Sequence, residues 1–283
     1  MSIESNDPSA LSRDRNDEIK ALDQLFVRSA RYRNSQNYLD LLRFIRRLPS
    51  QAPFNAFLIH MQKPGVQFVA TGRQWEKLWG RTVNRDALPF VILVPFGPVD
   101  FVYDIKDTVG PDLPKRVLDP FSAEGGIPKR IYDTTLLNCG RDHIPVQESD
   151  FGSALGGYAQ RKKKDFHISI NKNYSLDLKY ASLTHELGHI YAGHVGTIDE
   201  TWWPDRSSIP KEVAEIEAES ISFLVCKRMG IQTNAEEYLA GYVSDHEEMP
   251  AFSLDVVLTV SGYIEKMGRE KLKPRKSGEL KKR

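Results

Sequence analysis

His185-Glu186-Leu187-Gly188-His189 is the stretch on which the reading of this chain turns, because it places most of a zinc hydrolase site within five residues. On a helix, positions i and i+4 share a face, so His185 and His189 can aim imidazole nitrogens at one ion. Glu186 sits about 100° further round the helix. From there it reaches a metal-bound water without being a ligand itself. Zinc lowers the pKa of such a water toward ~7, and a neighbouring carboxylate can accept its proton as the water attacks a carbonyl. With 7 His in 283 residues, chance supplies such a motif in roughly one or two per cent of chains, so context must carry part of the argument.

The context agrees. Upstream, Asp165-Phe166-His167-Ile168-Ser169-Ile170-Asn171 alternates and is rich in β-branched residues, which predicts a strand. A helical run follows from Ser175, with Leu176, Leu183, Leu187 and Ile190 as its apolar positions. Strand 166–170 is expected to be an edge that pairs with an extended substrate backbone.

A third protein ligand is needed, and two candidates exist. His194 lies five residues after His189, but the longer zincin pattern wants Gly at 192 and His at 195, where this chain has Ala192 and Val195. The other candidate is the acidic helix at residues 211–226. At 100° per residue Glu212, Glu215 and Glu219 fall within about 60° of one another, whereas Glu217 points nearly the opposite way. Glu215 is read as the ligand and Glu219 as the carboxylate that orients a ligand histidine from behind. Tyr158, His194 and Tyr242 are candidate donors to a developing oxyanion.

His185 to His189, with Glu215-Ile216-Glu217-Ala218-Glu219-Ser220-Ile221-Ser222-Phe223 downstream, resembles the ImmA/IrrE type of small glutamate-zincin peptidase. It resembles more closely the C-terminal peptidase domain of ArdC-type antirestriction proteins. Gly156-Gly157-Tyr158 before the strand, and Leu224-Val225-Cys226 with Tyr238-Leu239-Ala240-Gly241-Tyr242 after the ligand helix, resemble the flanks of that family. The resemblance implies zinc on His185, His189 and Glu215, with Glu186 as catalytic base. The chain departs from it at residues 195–211, where Trp202-Trp203-Pro204 sits in an insertion. It departs also at Glu219, where ImmA/IrrE relatives usually carry Asn.

Residues 20–48 hold helical periodicity, 54–62 read as a short buried helix, 74–79 as a further helix, and 66–70, 88–94 and 99–105 as strands. This order resembles the N-terminal single-stranded-DNA-binding domain of ArdC-type proteins. The matching residues are Asn55-Ala56, Gly72-Arg73-Gln74-Trp75 with Lys77-Leu78, Val102-Tyr103-Asp104, Thr108-Val109-Gly110 and Leu113-Pro114. Where that family carries a Lys/Gly-rich turn, this chain has Arg81-Thr82-Val83-Asn84-Arg85-Asp86-Ala87. Single-stranded DNA is therefore a candidate partner. Arg73, Arg81 and Arg85 would meet phosphate, and Trp75, with Trp79 and Tyr32, would stack on bases. His60, in an apolar helix, reads as a satisfied buried histidine.

Net charge is only +1, so no global attraction to nucleic acid follows. Nine Lys/Arg against two Glu concentrate in residues 266–283. Two cysteines are too few for a disulfide framework. The absence of a secretory apolar segment or an 18-residue apolar run points to a cytoplasmic protein with no membrane partner. The expected organisation is α+β: a disordered lead (1–19), a small α+β domain (20–115), a linker (116–150), a zincin-like metallopeptidase domain with a short sheet and the His helix (151–265), and a basic tail (266–283). The function expected is zinc-dependent hydrolysis of a peptide bond in a protein or peptide partner. The alternative is an antirestriction DNA-binding module whose zinc site is structural or vestigial.

Overall fold

The structure, a computed structural model, describes residues 35–94, 97–118, 126–152, 155–162, 165–231, 233, 235–273 and 275. The polar lead at 1–19, Tyr32, and the tail beyond 275 lie outside them. Helices and short sheets are mixed along the chain, as the α+β expectation has it.

Helix α1 (Ser35–Arg47) and helix α2 (Pro53–Gln62) open the described chain. Leu41, Leu42 and Ile45 of α1 are fully buried, spaced so that one face of the helix is covered. Pro53 begins α2, where its missing N–H and fixed φ suit a first turn. His60 is buried with its ring 4.6 Å from that of Phe44. Strand β1 (Val69–Ala70), helix α3 (Gly72–Trp79), β2 (Thr82–Val83), β3 (Phe90–Val94), β4 (Gly97–Asp104) and β5 (Thr108–Val109) follow. They pair antiparallel as β1-β4-β3 and β2-β5. The exposed edge of β3 is completed by two side-chain amides. Asn55 exchanges hydrogen bonds with the backbone of Leu93, at 2.9 and 3.0 Å, and Gln62 does the same with Val91. These amides substitute for a neighbouring strand. Thr71 and Gln74 close a capping box at the start of α3.

After a short helix α4 (Lys115–Leu118), residues read as linker build structure instead. Helix α5 (Lys129–Arg141) packs on the C-terminal helix through Asn138, whose amide donates to the Met267 carbonyl at 2.7 Å. Strand β6 (Val146–Ser149) joins the second sheet. That sheet has the order β6-β8-β7, with β7 (Gly157–Lys162) antiparallel and β6 parallel to the central β8 (Asp165–Asn171). The 166–170 strand is thus flanked on both sides and cannot be the edge expected for it; among the described strands β6 and β7 are the edges, and β7 is the one beside Glu186. Phe166, Ile168 and Ile170 are fully buried on one face of β8, and Ser169 and Asn171 on the other.

Helix α6 (Leu176–Tyr191) starts at Ser175, whose hydroxyl accepts from the Leu178 N–H, with Asp177 in the first turn. It crosses helix α7 (Lys211–Lys227), and helices α8 (Ala235–Asp245) and α9 (Leu254–Arg269) complete the layer. Arg228, just past α7, joins the halves of the chain. Its buried guanidinium donates to the carbonyls of Ile45, Leu48 and Gln51 at the end of α1 and pairs with Glu265 on α9. Tyr38 of α1 also donates to Ser220 of α7 at 2.8 Å. One apolar cluster therefore runs from α1 through α6, α7 and α9. A smaller one around Trp75, Ala70 and Leu113 holds the α3 region. No helix among the described residues is long and apolar enough to cross a membrane.

Candidate metal centre

A spacing of four residues, just over one turn, puts His185 and His189 on one face of α6, and the crossing of α7 brings Glu215 to the same point. His185 Nε2 lies 3.1 Å from His189 Nε2, and Glu215 Oε2 lies 3.6 Å from each. A tetrahedral ion bonded at ~2.0–2.1 Å spreads its ligand atoms about 3.3–3.4 Å apart. The three donor atoms, all within 4.8 Å of one another, fit that spacing. Among the described residues they are the group able to hold a metal. Two imidazoles and one carboxylate suit zinc and other borderline divalent ions alike.

The crossing depends on Gly188. A Cβ there would lie 3.4 Å from the Cα of Ala218, so the helix backbones meet where the motif has its glycine. Hydrogen bonds from His185 and His189 hold the Glu215 carboxyl far below the usual range, against the opposing effect of its partial burial.

Glu186, almost fully buried, points to the other side of the cluster, toward β7. A Cβ on Gly157 would sit 3.7 Å from Glu186 Cγ, and the Ala159 backbone N–H donates to the carboxylate. Burial raises the Glu186 pKa, and the nearby imidazoles only partly offset it. A cleft of about 430 Å³ opens beside His185, Glu186 and Glu219, with Gly157, Tyr174 and Tyr238 on its walls.

Each candidate histidine is also held from behind. Glu219 Oε1 is 3.4 Å from His185 Nδ1. His194 is not near enough in role to be a third ligand: its Nδ1 meets the Nδ1 of His189 at 3.0 Å, and its Nε2 meets Glu217 Oε2 at 2.9 Å. It backs His189 and is turned away from the ligand cluster.

The other candidates separate. Tyr242 donates its hydroxyl to Glu212 at 2.7 Å. Tyr158 lies tilted against Phe151, with ring centres 5.7 Å apart, and, by the alternation of β7, faces away from the side on which Gly157 meets Glu186. Tyr238, one helical turn before Tyr242, lies on the cleft wall together with Tyr174. Burial and the charges of Glu215 and Glu219 raise the Tyr238 pKa. Tyr242 and Tyr238 are four residues apart on one helix, and nothing in the periodicity says which of them lines the cleft.

In the N-terminal half Trp75 is fully buried, its indole donating to the Tyr103 carbonyl at 3.0 Å and its ring edge-on to Phe68. It has no face left for a base. Arg81 is buried too: its guanidinium donates to the carbonyls of Thr108, Gly110 and Pro111 and to the Thr108 hydroxyl. It ties β2 to the loop after β5 and cannot meet phosphate. Arg73 and Arg85 are exposed.

No family model matches the chain, and no curated protein matches it. Among solved structures it is similar to the metal-free crystal structure of the antirestriction ArdC protein from the R388 plasmid. The identity is 15%, over 81% of this chain and 94% of that one, with a TM-score of 0.37. The Mn(II)-bound crystal structure of the same protein gives 16% identity over 83% and 95%, with a TM-score of 0.40.

Proposed function

We propose that the chain is a metal-dependent peptidase with a zincin-like C-terminal half, zinc its expected ion, and a peptide bond in a protein partner its substrate. The observation that carries this reading is the convergence of His185, His189 and Glu215 at ligand spacing with Glu186 buried beside them. Zinc bound there would supply Lewis acidity, making a water acidic and polarising a carbonyl.

The chain's own residues do the rest. His185, His189 and Glu215 hold the ion, and Glu219 fixes the ring of His185. Glu186 takes the proton of the attacking water on its carboxylate and returns it to the leaving amine. Its raised pKa suits a group that must both accept and give a proton near neutrality. The edge of β7 runs past Glu186 and offers backbone groups to an extended substrate. Tyr238, on the cleft wall, would donate to the oxygen that gains charge.

Purified protein should carry about one zinc per chain, and Glu186→Gln should keep the metal while losing hydrolysis of any protein substrate. The competing reading, an antirestriction DNA-binding module with a structural metal, predicts the reverse: Glu186→Gln would retain full biological activity.

A further inference from the structure

His189 stands at one end of a buried chain of polar groups that the peptidase reading does not use. Its Nε2 faces His185 and Glu215. A neutral imidazole has one N–H, so a His189 that offers Nε2 to an ion carries its proton on Nδ1. That proton points at His194 Nδ1, 3.0 Å away. His194, accepting there, must carry its own proton on Nε2, where Glu217 Oε2 waits at 2.9 Å. Glu217 is fully buried and can only accept. Arg206 Nη1 donates to Oε2 at 2.6 Å and Nη2 to Oε1 at 2.7 Å, and the Ser253 N–H donates to Oε1 at 2.8 Å. Each proton position in the chain follows from the next, beginning at a carboxylate with four donors.

The inserted loop builds this chain. Gly193 is left-handed (φ +78°), and a Cβ there would strike the Pro204 carbonyl oxygen at 2.1 Å. The Arg206 N–H returns to the Gly193 carbonyl at 2.9 Å, and Arg206 Nη1 also holds the Ala192 carbonyl at 3.1 Å. Closing the loop that carries Trp202-Trp203-Pro204 is what delivers Arg206 to Glu217. His185, by contrast, has Glu219 at 3.4 Å behind it.

We propose that His194, Glu217 and Arg206 act as a positioning relay that fixes the metal-binding tautomer of His189, so that closure of the inserted loop sets metal affinity. The proposal rests on the metal-site reading above. Outer partners of this kind typically change metal affinity 10–100-fold.

The test is zinc affinity by chelator competition, with the Co(II) absorption spectrum as a second readout and the melting temperature of each metal-free variant as control. His194→Leu should bind zinc roughly 10–100-fold more weakly with an altered Co(II) spectrum. His194→Gln, whose carbonyl can accept from His189 while its amide donates to Glu217, should recover most of that loss. Arg206→Gln should fall between. The relay is overturned if His194→Leu binds zinc like wild type, or if His194→Leu and His194→Gln lose affinity equally and in step with metal-free stability. Wild type that takes up no zinc overturns the metal site itself, and the relay with it.

Discussion

Gly188 on α6 and Ala218 on α7 touch at backbone distance: a Cβ at 188 would lie 3.4 Å from Ala218 Cα. That contact sets how closely the helix bearing His185 and His189 approaches the helix bearing Glu215. Gly188→Ala places its methyl at ordinary contact distance and gains up to ~1 kcal/mol of helix propensity, so it should leave stability and metal binding near wild type. Gly188→Leu must push the helices apart, at ~1–3 kcal/mol of overpacking. It should also lose metal affinity by tenfold or more while still folding, because Glu215 then leaves ligand range. Thermal melts beside zinc titrations decide it. A Gly188→Leu variant with intact affinity would show that the crossing does not place the ligand.

Glu215 and Glu219, one helical turn apart, should behave differently. Glu215→Ala removes one of three ligands, and the purified protein should carry little or no zinc. Glu219→Ala removes only the group 3.4 Å behind His185 and should keep near-stoichiometric zinc at high concentration, with affinity down by roughly 10–100-fold. Metal content by elemental analysis, followed by competition against a chelator, separates the two. Equal loss in both variants would place Glu219 in direct contact with the ion.

That Glu215 and Glu219 share a side and Glu217 faces the other way is legible in the sequence because helical spacing is local, at about 100° per residue. Why Glu217 points away was not legible, since its partners His194 and Arg206 are 23 and 11 residues distant and only loop closure brings them together. The second sheet shows the same limit. Val146-Gln147-Glu148-Ser149 has the polar, Pro-flanked look of a linker, and only its parallel partner β8 makes it a strand. In the N-terminal half, Trp and Arg are the residue types of a stacking surface and of a buried joint alike, and Trp75 and Arg81 form the joint. The capping box of Thr71 and Gln74 was a local sign that the Trp helix is a packed element.

Arg81 and Arg85, four residues apart, should accordingly part company. Arg81→Ala leaves the carbonyls of Thr108, Gly110 and Pro111 without their donor and should destabilise the fold by about 3 kcal/mol. Arg85→Ala, at an exposed position, should change stability by less than ~0.5 kcal/mol. If the N-terminal half binds single-stranded DNA, Arg85→Ala should flatten the salt dependence of binding by close to one phosphate's worth, about 0.7 in the log–log slope. Denaturant titration and salt-dependent binding measure both. A stable Arg81→Ala that binds DNA poorly would return Arg81 to the interface.

Asp142 and Arg275 give the pH prediction. Asp142 is fully buried, and its Oδ1 pairs with Arg275 Nε at 3.1 Å. Arg275 comes from the basic tail, yet its guanidinium lies 4.9 Å from the Tyr263 ring centre and 5.4 Å from that of Trp203. This part of the tail is therefore docked. Burial works to raise the Asp142 pKa, but Arg141, Arg275 and the Tyr191 hydroxyl outweigh it and hold the carboxyl below its ordinary value. A folded pKa below the unfolded one, ~3.9, contributes stability that is complete above the unfolded value. That stability drains away as pH falls through the folded value. Asp142→Asn should thus be destabilising at pH 7, and its gap to wild type should narrow as pH falls below ~4. Arg275→Ala removes one of the charges that depress the pKa and a cation–π contact of ~0.5–2 kcal/mol. Acid unfolding of that variant should begin at higher pH than in wild type. Chemical denaturation from pH 7 down to pH 3 measures both, and an unchanged acid midpoint in Arg275→Ala would show that Arg141 and the tyrosine hydroxyls hold Asp142 ionised without Arg275.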